Sequence, residues 1–126
     1  MNDAALWTLV LLQLKHFVCD FVVQTPYQLR HKGIYGHPGG LLHAGLHTAA
    51  TAAVLAVLQA WIPLAVPQML ALLAAEFMLH YHIDWTKEQV MRPYVQAQGP
   101  AYWAIFGFDQ LLHQATYVAI LYVALR

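Results

Sequence analysis

Apolar residues run along the chain in four long blocks, covering residues 4–23, 40–62, 67–83 and 100–125, with polar segments between them. A helix needs roughly 20 predominantly apolar residues to cross a bilayer, so the pattern predicts four transmembrane helices. Pro67 and Pro100 stand at the starts of the third and fourth blocks, where the missing N–H costs a helix nothing. A tight, uncharged turn at 63–67 joins the second block to the third. The other two connections, 24–39 and 84–99, are longer and polar, and Pro38, Gly39 and Gly40 break the chain before the second block. The expected fold class is all-α: one domain over residues 1–126, a membrane-embedded four-helix bundle.

Composition supports this reading. The chain is 60% hydrophobic and only 10% charged, whereas a soluble domain carries about 25% charged residues. Six Lys+Arg balance six Asp+Glu, which excludes a strongly basic nucleic-acid binder and an acidic disordered tail. The lone Cys19 excludes an internal disulfide framework and a thiolate-rich zinc motif. Asp3 in place of a basic opening, and Lys15 inside the apolar run, argue against a signal peptide. Four of the six basic residues, Arg30, Lys32, Lys87 and Arg92, fall in the two polar connections. The positive-inside tendency places those connections in the cytoplasm and both termini outside.

The polar residues inside the blocks repeat. His16 and Asp20 form one pair four apart, His80 and Asp84 another; the second block carries His43 and His47, the fourth Asp109 and His113. The bundle then reads as two pseudo-repeated helical hairpins, related by an axis along the membrane normal. Residues four apart share a helix face about 6 Å apart along the axis. Counted from the ends away from the basic connections, His16, His47, His80 and His113 all lie roughly 18–22 Å deep, and Asp20, His43, Asp84 and Asp109 one turn nearer those connections. Ionisable groups at such depth face the bundle interior. Five His and three Asp in two layers suit two divalent metal ions with four ligands each, Zn²⁺ first and Fe, Mn or Ni also. A proton relay or a metal-free hydrogen-bond network is the plainer alternative.

Thr51, Glu76 and Tyr117 lie a further turn away, with Gln13 three residues before His16. They are placed to orient ligand imidazoles through hydrogen bonds or simply to pack between helices. His82 points off the His80 and Asp84 face, His31 and His37 fall in a connection and are expected to be solvated, and Cys19 is read as a small apolar filler. Trp7, Trp61, Trp85 and Trp103 lie near block ends, as interfacial anchors do.

Together, His16, Cys19, Asp20, Gln24, Thr25, Pro26 and Tyr27, the His43 and His47 pair, His80, Tyr81, His82, Asp84, Trp85 and Lys87, and Asp109 with His113 resemble the small bacterial membrane proteins catalogued as domain of unknown function 3307. The resemblance covers nearly the whole chain and implies a bacterial inner-membrane protein. A looser similarity links His43, His47 and Thr48, and His80 with Asp84, to membrane-bound metal-dependent hydrolases, although Ala44 stands where those proteins carry Arg.

Metal-dependent hydrolysis is the leading functional expectation. A bound Zn²⁺ lowers the pKa of its water toward neutrality, and paired metals can clamp both the attacking and leaving oxygens of a phosphoester. Asp20, Asp84 and Asp109 are the catalytic candidates, as metal bridges or proton acceptors. Arg30, Lys32, Lys87 and Arg92 are candidates to hold an anionic substrate, a lipid or lipid-linked phosphate reached from the cytoplasmic leaflet. The alternatives are a di-iron membrane oxidoreductase and a metal-ion transporter or sensor.

Overall fold

The computed structural model describes residues 3–126, and all of its regular elements are helical. Helix α1 (Asp3–Phe17) runs directly into a π-helical turn (Val18–Val22). A short helix α2 (Pro26–His31) follows, then α3 (Pro38–Leu58), α4 (Val66–Met91), a 3₁₀ turn (Arg92–Tyr94) and α5 (Pro100–Ala124). Helix α1 packs against α3 and α5, and α4 packs against the same two. The four long helices therefore close a ring in the order α1, α3, α4, α5, with α2 lying on α3.

The interior of this ring is divided. Around the start of α1 and the end of α5 it is apolar, built from Ala5, Leu12, Leu55, Leu72, Ile120 and Leu121, with Tyr117 at its inner edge. Toward α2 it is lined by histidines and carboxylates. The outer surface is the reverse: Leu14 and Phe17 are 55% exposed, Leu111 57% and Leu70 58%. Two segments, Asp3–Val22 and Pro38–Leu58, are long and apolar enough to cross a membrane. Helices α4 and α5 are longer still but fall short of that apolarity. The difference arises from the polar residues they turn inward, Glu76, His80, Asp84 and Lys87 on one and Asp109 and His113 on the other.

Three boundaries depart from the sequence reading, each for a local reason. Helix α4 does not stop at Ile83 but continues two turns to Met91. Its buried residues Leu72, Glu76, His80, Asp84, Lys87 and Met91 keep one helical face unbroken, and no helix breaker occurs before Pro93. Asp84 and Lys87 are thus helical rather than loop residues. The 24–39 connection is not irregular throughout, because α2 forms inside it. The Thr25 hydroxyl accepts from the Gln28 backbone N–H at 3.3 Å, while Gln28 Oε1 accepts from the Thr25 N–H at 2.8 Å, a reciprocal capping box with Pro26 in the first turn. Finally, Pro38, Gly39 and Gly40 open α3 rather than break the chain. His37 caps the helix by accepting the Gly39 N–H on Nδ1 at 3.0 Å. The glycines are there for proximity: a Cβ at Gly39 would come 2.8 Å from His31 Cβ, and one at Gly40 3.2 Å from the Tyr81 ring.

Candidate metal centre

Each long helix turns one residue pair inward. His16 closes α1, and Asp20 sits in the π turn that follows; the Val23 N–H donates to the Val18 carbonyl at 3.0 Å, five residues back. Single π turns inside α-helices are often found at functional sites, and this one carries Asp20 over toward α3. His43 and His47 come from α3, His80 and Asp84 from α4, Asp109 and His113 from α5. Seven of the eight residues are buried, and the Asp20 side chain is only 7% exposed.

Four imidazoles form a closed layer across the bundle. Their ring centroids are 5.3 Å apart for His16 and His47, 3.9 Å for His47 and His80, 4.2 Å for His80 and His113, and 5.1 Å for His113 and His16. His43 lies against this layer, 4.8 Å from His47 and 5.1 Å from His80. The carboxylates join the helices. Asp20 Oδ1 is 3.0 Å from His43 Nε2 and 3.1 Å from His47 Nε2, and Asp20 Oδ2 is 3.2 Å from His16 Nε2. Asp84 Oδ2 is 3.2 Å from His43 Nε2, so His43 lies between the two carboxylates. Asp109 Oδ1 is 3.3 Å from His113 Nε2.

Two groups within this cluster have ligand atoms that all lie within 4.8 Å of one another and could hold a metal ion: Asp20, His43, His47 and His80, and His80, Asp84 and His113. His80 belongs to both. His16 and Asp109 lie in the same cluster but outside these groups. His16 Nε2 is 3.0 Å from Gln110 Oε1 and its Nδ1 is 3.0 Å from the Tyr117 hydroxyl, so both ring nitrogens already have partners. By contrast, His80 Nε2, His113 Nε2, Asp84 Oδ2 and Asp109 Oδ1 are buried and meet neighbouring His and Asp atoms only at 3.2–3.5 Å, without hydrogen-bond geometry. An unmatched buried polar atom costs about 1–3 kcal/mol. Four of them, two imidazole nitrogens and two carboxylate oxygens, converge in one place, and that donor set fits a divalent cation.

Beyond the imidazole layer lies a second network. Glu76 Oε1 accepts from Lys15 Nζ at 2.6 Å and from the Thr51 hydroxyl at 2.8 Å. Lys15 Nζ also donates to the His47 carbonyl at 3.2 Å and sits 4.5 Å from the centre of the Tyr117 ring. Gln13 is half-buried and takes no part in these bonds. Lys15, Gln24 and Gln110 are not among the site residues the sequence predicts. Lys15 had a legible signal, since a charge inside an apolar block must find a buried partner. Gln24 Nε2 donates to His43 Nδ1 at 3.1 Å, and Gln110 reaches His16; a glutamine at a helix end or beside an acid gives no such signal.

Of the four basic candidates, two reach the site. Lys32 is buried with Nζ 3.6 Å from Asp84 Oδ1, and Lys87 is buried with Nζ 2.8 Å from Glu88 Oε1. Arg30 and Arg92 are exposed, bonded to the carbonyls of Pro26 and Gly33. Cys19 is buried and belongs to neither metal group. His82 lies away from the cluster, with Nε2 3.1 Å from the Tyr35 hydroxyl. His31 and His37 are not simply solvated: their rings stack at 4.1 Å where α2 meets α3. Trp7, Trp61 and Trp103 are exposed, while Trp85 packs on Tyr35.

The model of the family described as "Protein of unknown function (DUF3307)" matches residues 8–126. No curated protein and no solved structure matches the chain.

Proposed function

The chain belongs to the DUF3307 family, and from its buried site we propose a membrane-embedded, metal-dependent hydrolase acting on a lipid or lipid-linked phosphate. The observation that carries this reading is the convergence of His80 Nε2, His113 Nε2, Asp84 Oδ2 and Asp109 Oδ1, buried and without hydrogen bonds, at the centre of the His/Asp cluster. One ion would be held by Asp20, His43, His47 and His80. A second would be held by Asp84 and His113 with Asp109, whose Oδ1 is 3.3 Å from His113 Nε2. Because a single Nε2 binds one ion, His80 would serve the first of these and pack beside the second. Zinc suits this His-rich set best; iron and manganese are the alternatives. Such an ion supplies Lewis acidity and a more acidic water.

The chain's own residues do the rest. A cavity of about 360 Å³ opens on the carboxylate side of the cluster, lined by Asp20, Gln24, Lys32, Lys87, Asp109 and Gln110. Lys32 and Lys87 offset the charge of a phosphate there. Asp109 accepts the proton of the attacking water as its oxygen bonds to phosphorus and the ester P–O bond breaks, and the departing alkoxide takes that proton. Tyr117 holds His16, which in turn contacts Asp20; Glu76 and Lys15 fix the backbone of His47.

Membrane embedding rests on the inverted surface, apolar outside and ionisable inside, and on the two segments apolar enough to span. We place all four long helices across the bacterial inner membrane, with the 24–39 segment and the end of α4 cytoplasmic. The ring order α1, α3, α4, α5 suits two hairpins related by a pseudo-twofold axis. Such an axis would exchange His16 with His80, Asp20 with Asp84, His47 with His113 and His43 with Asp109.

The test is elemental analysis of the purified protein, paired with phosphate release from phosphatidic acid. Bound zinc with phosphate release that disappears on chelation and returns with metal supports the reading. Metal-free protein, or metal-loaded protein inert toward phosphoesters, refutes it.

A further inference from the structure

A second cavity, about 680 Å³, runs along the outer surface between α4 and α5. Its walls are Leu79, Ile83, Val90, Ile105, Phe108 and Leu112, all apolar. Four polar residues, His82, Thr86, Lys87 and Asp109, also line it, and of these Lys87 and Asp109 line the cavity beside the His/Asp cluster as well. An apolar groove on the face turned toward lipid therefore adjoins a polar chamber holding two buried lysines. Lys87 is 9% exposed and Lys32 5%, so their ammonium groups are kept out of bulk water beside the chamber.

Resting on the proposed hydrolase reading, we propose that the substrate enters sideways from the bilayer between α4 and α5. Its acyl chain occupies the groove, and its phosphate passes Lys87 and Asp109 into the chamber. The occupant is an anionic phospholipid of the surrounding membrane. The groove offers apolar walls to a chain, and Lys87 and Lys32 offer charge to a phosphate monoester or diester; a neutral lipid satisfies the first and leaves the second unmatched. Lys87 is the specificity-determining residue, because it alone among the basic residues lines both cavities.

The experiment uses the full chain in nanodiscs with a phosphatidic acid carrying a diazirine in one acyl chain, and maps adducts by mass spectrometry. The matched diazirine diacylglycerol and inorganic phosphate serve as comparison probes, and metal content is measured on every sample. Adducts concentrated on Ile83, Ile105 and Phe108, reduced about tenfold by Thr86→Trp or Ala104→Trp and unchanged by Val118→Trp, exposed on α5 outside the groove lining, support lateral entry. Lys87→Met should abolish the preference for phosphatidic acid over diacylglycerol while leaving chain adducts in place. Adducts spread over the whole apolar surface, equal labelling by the neutral probe in wild type, or full competition by inorganic phosphate at the lipid's own concentration overturns it. Loss of selective labelling with metal retained overturns lateral entry alone. Selective labelling of a wild-type protein that holds no metal overturns the hydrolase reading alone.

Discussion

The imidazoles of His47 and His80 lie 3.9 Å apart, tilted 32°, although they come from two different helices. His47 Nε2 is tied to Asp20 Oδ1 at 3.1 Å, while His80 Nε2 has no hydrogen-bond partner. Two protonated rings at this distance repel strongly; a shared cation binds both as neutral ligands.

That relationship ranks the histidines. His80 belongs to both metal groups and His47 to one. His80→Ala should therefore remove the first ion and weaken the second, against which its ring packs, while His47→Ala should remove the first alone, each lowering thermal stability because metal binding adds to folding free energy. His31→Ala and His37→Ala should leave metal content at the wild-type level. Metal analysis of the four variants is the check, and an unchanged content in His80→Ala would sink the metal centre.

Asp109→Asn keeps the side-chain volume and removes the charge. Near-normal insertion and folding are expected, with metal affinity lowered about tenfold or more and phosphoester hydrolysis reduced about 10²–10⁴-fold. Calorimetric metal titration and phosphate release measure the two effects separately. Full activity in this variant would exclude Asp109 as the proton acceptor.

The Lys15 and Glu76 pair, 2.6 Å apart and buried, should behave as a unit. Removing one partner strands a buried charge, at a cost of about 3–5 kcal/mol. Lys15→Met alone should lower the unfolding temperature in detergent sharply, and Lys15→Met with Glu76→Leu should recover most of the loss. A double variant no more stable than the single one would show that the pair does not act as a unit.

Arg30 and Arg92 are exposed at the end of the bundle near α2, which makes them suitable for mapping topology. In a Cys19→Ala background, Arg30→Cys and Arg92→Cys should both react with a membrane-impermeant maleimide from the cytoplasmic side only. Labelling from opposite sides would rule out four spans.

Gly39→Ala would place a Cβ 2.8 Å from His31 Cβ. The contact is too short to be absorbed without moving α2 against α3, and overpacking of this kind costs about 1–3 kcal/mol. Reduced thermal stability, with hydrogen exchange rising first in α2, is the expected outcome; wild-type exchange there would mean the contact relaxes freely.

The sequence by itself determined that the chain is helical and that eight ligand-type residues would meet. Both follow from local rules: long apolar blocks have one economical conformation, and residues four apart share a helix face whatever surrounds them. The same rules placed Pro67 and Pro100 correctly in the first turns of α4 and α5. Thr25 and Gln28 were also a legible helix start, overlooked because polar residues between blocks read first as loop. What only the tertiary structure decided depends on neighbours distant in the chain. Asp84 and Lys87 carry α4 on to Met91 because packed elements cover them, although neither is apolar. Lys32 and Lys87 turn to the site while Arg30 and Arg92 stay outside. Lys15 finds Glu76 across 61 positions of sequence. His80, rather than His16, holds the shared position between the two ligand groups, because Tyr117 and Gln110 from α5 occupy both nitrogens of His16. Helical periodicity assigns each side chain to a face; which atoms then meet depends on how the four faces are rotated and shifted against one another, and no local pattern records that.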